Sequence, residues 1–69
     1  MSLKDLLGKR IVQLRVEREW TQERLAAEAE LAARYIQQLE HGQRWPREVT
    51  LEKLARAFQI PPEDILRKL

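Results

Sequence analysis

The segment from Thr21 to His41 constrains this chain more than any other. Leu25, Ala29, Ala32, Ile36 and Leu39 recur every three or four residues, and neither Gly nor Pro interrupts them. That spacing puts the five side chains on one stripe of a continuous amphipathic helix of about 20 residues. Leu31 is at odds with this reading. On a straight helix it lies well off the stripe and faces solvent, whereas a break near Glu30 turns it inward. Local propensity predicts one helix here, and the burial of Leu31 predicts two.

The flanking sequence is easier to divide. Ser2, with Asp5 three residues on, predicts a capped start for a first helix over about Leu3–Glu19, with Leu3, Leu7, Ile11 and Leu14 as its buried stripe. Thr21 is the expected N-cap of the next helix, and Glu23 lies in its first turn. His41-Gly42 ends the segment, and Gln43-Arg44-Trp45-Pro46-Arg47 reads as a loop. Thr50 is the expected cap of a further helix with Leu51, Leu54, Ala55 and Phe58 on its core face. Ile60-Pro61-Pro62 stops that helix, and Pro62 suits the first position of a last one. Glu63 and Asp64 would then lie at its positive end, Arg67 and Lys68 at its negative end, with Ile65, Leu66 and Leu69 apolar.

No run shows the alternation of a strand, so the class is all-α. At 69 residues the chain is read as a single domain over 1–69, with no room for a catalytic domain beside a recognition domain. Cysteine is absent and His41 is the one histidine, so neither a thiolate nor a zinc site is expected. With no nucleophile–base set, paired acid or phosphate loop, an enzyme is not expected, nor is a cofactor. The sequence holds no apolar run of membrane-spanning length and no signal-peptide pattern, which predicts a cytoplasmic protein without membrane contact. The formal net charge of +2 says little about a partner, whereas local charge says more. Between Leu31 and Arg47, Arg34, Arg44 and Arg47 face a lone acid, Glu40.

Trp20-Thr21-Gln22-Glu23-Arg24-Leu25-Ala26, then Tyr35-Ile36-Gln37-Gln38-Leu39-Glu40-His41-Gly42, then Pro46 and Thr50-Leu51-Glu52-Lys53-Leu54-Ala55, resemble the lambda-repressor-like family. Its helix-turn-helix is also called the Cro/CI type or xenobiotic-response-element type. The resemblance covers nearly the whole chain. It implies five helices, with helix 2 at about 21–29 and a recognition helix at about 32–41. It also implies a transcriptional regulator, expected to be a repressor, that binds double-stranded DNA as a homodimer at a pseudo-palindromic operator. In a prokaryotic cell such a protein is nucleoid-associated.

The resemblance assigns Ala33, Arg34, Gln37 and Gln38 to base contact, although periodicity alone makes this a solvated helix face. It assigns Thr21, Gln22, Tyr35, Gln43, Arg44 and Arg47 to the DNA backbone, and Arg15 with Glu40 to a structural ion pair. Gln suits adenine's N6/N7 edge, and Arg suits guanine's O6/N7 edge or a phosphate. Tyr35 reads equally as a core-edge ring, and Trp45 either covers a gap in the core or stands exposed. Trp20 belongs to the core, and His41 to a helix end. Three positions depart from the family pattern. Glu30 stands where the turn usually has Gly, Ala32 where helix 3 usually has a Ser or Thr cap, and Glu19 where Gly usually precedes helix 2. A non-Gly residue in the left-handed region costs about 1–2 kcal/mol, and a missing cap about 1 kcal/mol more. Ala26 is small where helices 2 and 3 must approach. The alternative is a protein-interaction module of the same fold, an antitoxin or adaptor with a protein partner.

Overall fold

Helix ends decide this architecture, and identifiable residues set each end. In the computed structural model, which describes residues 1–67 and 69, five helices follow one another: α1 (Leu3–Glu17), α2 (Gln22–Ala29), α3 (Ala33–Glu40), α4 (Glu48–Phe58) and α5 (Pro62–Leu66). There is no strand among the described residues. Ser2 opens α1 with a capping box: its Oγ accepts the Asp5 N–H at 3.2 Å, and the Asp5 carboxylate accepts the Ser2 N–H at 3.3 Å. Thr21 opens α2, its Oγ1 accepting the Arg24 N–H at 3.0 Å.

The unbroken helix suggested by periodicity does not form. Glu30 adopts the left-handed conformation (φ 56°, ψ 46°), the Leu31 N–H donates to the Ala26 carbonyl at 2.9 Å, and the Glu30 N–H donates to that of Ala27 at 3.3 Å. These are the two bonds of a Schellman motif. The same pattern ends α1 at Glu19 (φ 57°), α3 at Gly42 (φ 73°) and α4 at Gln59 (φ 60°). At the three non-glycine turns the next residue is Trp20, Leu31 or Ile60, and each packs on the core. Burying a large apolar side chain is worth up to about 1.5–3 kcal/mol. That offsets the cost of the left-handed residue before it.

Two boundary expectations and one burial expectation are corrected. Helix α1 ends at Glu17, two residues before Glu19, because Glu19 is the left-handed residue of the turn. Leu3 is exposed, since the first turn of α1 lies beyond the core, which begins at Leu7. Thr50 does not cap α4: Arg47 is its N-cap, with extended backbone and no capping side chain, and the Leu51 N–H bonds the Arg47 carbonyl at 2.9 Å. Buried Pro46 anchors the loop just upstream, so the helix starts at once and Thr50 falls inside its first turn. Pro62 does open α5, with Glu63 and Asp64 in its first turn. Lys68 lies outside the described residues.

Helix α3 packs between α1 and α2, α4 closes on α2, and α5 joins α4 to α1. The shared core holds Leu7 and Ile11 of α1, Leu25 of α2, Ile36 and Leu39 of α3, Leu54 and Phe58 of α4, and Ile65 of α5. Trp20 stacks on Phe58 with ring centres 6.1 Å apart. Arg18 fastens two helix ends, its Nη1 donating to the Leu14 carbonyl and its Nη2 to the Phe58 carbonyl, both at 2.8 Å. Arg10 Nη2 reaches the Asp64 carbonyl at 3.0 Å and ties α1 to α5. No helix among the described residues is long and apolar enough to cross a membrane.

Gly8 sets how closely α1 approaches α3. A Cβ at Gly8 would stand 2.6 Å from the Leu39 carbonyl oxygen and 2.7 Å from that of Glu40, and neither backbone atom can step aside. Gly8→Ala is therefore expected to destabilise the fold by about 1–3 kcal/mol despite alanine's better helix propensity. Glu30→Gly should act in the opposite sense, raising stability by about 1 kcal/mol through relief of the left-handed strain. Urea unfolding of both variants checks the pair.

Candidate nucleic-acid interface

Helix α3 has an anchored side and an open side. Ile36 and Leu39 face the core with no exposed surface. Glu40, at the end of the helix, has only 4% of its side chain exposed and is gripped from two other helices. Arg15 Nε donates to Glu40 Oε2 at 2.7 Å and its Nη2 to Oε1 at 3.1 Å, while Gln22 Nε2 donates to Oε1 at 2.8 Å. Arg15 Nη1 turns to the Trp20 carbonyl at 2.7 Å. The carboxylate is thus almost saturated by charge-assisted and neutral donors, which is what a buried charge requires.

This burial changes the electrostatics of the open side. The lone acid of the Leu31–Arg47 segment is withdrawn from the surface and paired with α1, so Arg34, Arg44 and Arg47 stand exposed without an opposing carboxylate from their own segment. Neither Arg34 nor Arg47 forms an ion pair among the described residues. Such a surface suits a phosphate backbone.

The structure brings most of the residues singled out from sequence to this side. Arg34 and Gln37 are exposed on α3, and Gln38 is partly exposed one turn behind Arg34. Ala33 is less open than expected, half-buried against the core at the first position of α3. Ala32 precedes it as an N-cap without a side-chain bond, so no capping side chain accepts from the first turn of α3, where the Tyr35 N–H bonds the Ala32 carbonyl at 3.0 Å instead. Thr21 spends its hydroxyl on the α2 cap, and Gln22 spends one amide hydrogen on Glu40. Both nevertheless lie at the N-terminus of α2, where N–H groups and the dipole favour an anion. Gln43 is exposed, its N–H closing α3 on the Gln38 carbonyl at 2.9 Å. Arg44 lies over the Tyr35 ring, 5.4 Å from its centre, and donates to Gln38 Oε1 at 2.6 Å. Tyr35 itself is half-buried against the core. Trp45 is 44% exposed and does not fill the core; with Val49 and Leu31 it lines a groove beside α3. His41 Nδ1 lies 2.8 Å from the Gln37 carbonyl, at the negative end of α3.

Three contacts that shape this side carry no strong sequence signal: the Gly8 approach, the Gln22–Glu40 bond, and the Arg44–Gln38 bond with Tyr35 beneath it. Arg18 could have been found, since a basic residue after the last helical turn often binds terminal carbonyls. No group of three or more His, Asp or Glu able to hold a metal occurs among the described residues.

Comparison with known proteins places this geometry. A family model described as helix-turn-helix matches residues 11–65. The chain is 35% identical over 60 residues to an uncharacterized helix-turn-helix-type transcriptional regulator, y4dJ, of Sinorhizobium fredii, covering 87% of this chain and 78% of that one. It is 32% identical over 66 residues to the control protein C.BamHI of Bacillus amyloliquefaciens, covering 94% and 82%. The solved restriction-modification controller protein C.AhdI from Aeromonas hydrophila superposes with a TM-score of 0.87 at 34% identity, over 90% of this chain and 94% of that one.

Removing one partner of the buried pair leaves the other charge stranded. Glu40→Ala is expected to cost about 3–5 kcal/mol in urea unfolding. Arg15→Ala should fall in the same range, and the double variant should lose clearly less than the sum of the two.

Proposed function

The chain belongs to the helix-turn-helix family of Cro/CI-like DNA-binding regulators, and we propose that it is a sequence-specific repressor of transcription that binds a pseudo-palindromic operator as a homodimer. The observation that carries this reading is the open side of α3, where Arg34, Gln37 and Gln38 stand beside Arg44 and Arg47 while the segment's lone acid is buried. An α-helix with its side chains is about 10–12 Å across and fits a major groove about 12 Å wide. With α3 in the groove, Gln37 and Gln38 meet base edges, Arg34 meets guanine or a phosphate, and Ala33 approaches a thymine methyl group. The N-terminus of α2, with Thr21 and Gln22, meets one phosphate, and Tyr35, Gln43, Arg44 and Arg47 meet the backbone beyond.

Two-fold pairing follows from the small footprint. One such domain reads few base pairs, so adequate specificity calls for two half-sites about one helical turn apart. Two relatives are a control protein and a restriction-modification controller, which supports a regulatory role for a chain of this size. We place its action in the cytoplasm, on the nucleoid of a prokaryotic cell, with its level or a protein partner setting its output.

Selection of bound sequences from a random duplex pool tests the proposal, and a two-fold symmetric consensus is the expected product. If the protein enriches no sequence and shows no affinity for duplex DNA at low salt, the proposal fails. Two variants sharpen the result. Arg47→Ala should weaken binding to all sequences and reduce the salt slope by about 1. Gln38→Ala should relax base preference at one position by about 1–3 kcal/mol.

A further inference from the structure

We infer that Arg44 is a specificity-positioning residue that holds the Gln38 amide in one orientation for base reading. This rests on the DNA-binding reading above and deepens it. A glutamine amide presents an acceptor at one end and a donor at the other, and a half-turn of its last torsion exchanges them. Adenine's major-groove edge likewise offers one donor and one acceptor, so a reader that flips freely loses discrimination with each exchange. Arginine carries donors only. Because Arg44 Nε stands 2.6 Å from Gln38 Oε1, only the oxygen end of the amide can face it, and Nε2 is turned elsewhere. A charge-assisted bond of this kind is roughly twice as strong as a neutral one.

The arginine is itself held. Its guanidinium lies over the ring of Tyr35, which is half-buried against the core and sits one helical turn before Gln38. Gln38 is also bonded to the loop through its backbone, since its carbonyl accepts the Gln43 N–H at 2.9 Å and so closes α3. Both the main chain and the side chain of Gln38 are therefore tied to the loop that follows it. Among the described residues no side-chain hydrogen bond holds Arg34 or Gln37, which shared the same expectation of base contact. Gln38 is the pre-oriented reader of the three.

Duplex selection and competition titrations at fixed salt on wild type, Gln38→Ala, Arg44→Ala and Arg47→Ala test the inference. Gln38→Ala identifies the base pair that Gln38 reads. Arg44→Ala is expected to lower discrimination at that same base pair by about tenfold, in addition to a uniform loss of affinity. Arg47→Ala removes the same charge from the same loop and should give the uniform loss alone. Arg44 is exposed, so its removal leaves the fold intact, as circular dichroism would show. The inference is overturned if Arg44→Ala and Arg47→Ala give the same profile with discrimination preserved, or if Gln38→Ala relaxes no position. A wild-type protein that selects no duplex is a separate outcome, which removes the DNA-binding reading itself.

Discussion

The carboxylate of Glu40 is the point on which the arrangement of the first three helices turns. It belongs to α3, it is bonded by Arg15 of α1, and it is bonded again by Gln22 at the start of α2. Arg15 carries the network on to the Trp20 carbonyl in the turn between α1 and α2. A buried charge with this many donors adds little to stability against an apolar alternative, yet it is strongly directional. Packing of Ile36 and Leu39 tells α3 which side to bury. The ion pair tells it how far along α1 to sit, and the close approach at Gly8 admits it to that depth.

The second organising element is the repeated helix stop. Four helices end in a left-handed residue, and in three of them this residue is Glu or Gln followed by an apolar side chain that seats on the core. The chain thus uses tertiary burial where glycine would have used conformational freedom. Each turn forms because the next residue must go inward, which makes the helix boundaries a product of the folded core. An isolated peptide spanning residues 21–41 has no such core, and its periodicity favours continuity.

That dependence explains what was legible in the sequence. The caps at Ser2 and Thr21, the stop at Gly42 and the start at Pro62 are local chemistry and could be read directly. The break at Glu30 could not be read from propensity; the family resemblance placed it there, and the misplaced Leu31 gave that placement a physical reason. The cap assigned to Thr50 went wrong for a related reason: buried Pro46 fixes where α4 begins, and no capping side chain is needed. On the candidate site, residue types and spacing located the open side of α3. The withdrawal of Glu40's charge and the bond between Arg44 and Gln38 depend on distances between elements, and composition carries no trace of them.

The two-sided character of α3 has an evolutionary consequence. Its attachment to the scaffold runs through Ile36, Leu39 and Glu40, while Arg34 and Gln37 take no part in that attachment. Exposed positions of this kind usually tolerate replacement within about 0.5 kcal/mol. A lineage of such proteins can therefore diverge in the outward lettering of one short helix while inheriting the scaffold unchanged. Gln38 is the exception, because a new side chain there also changes what Arg44 has to hold, and the two positions should drift together.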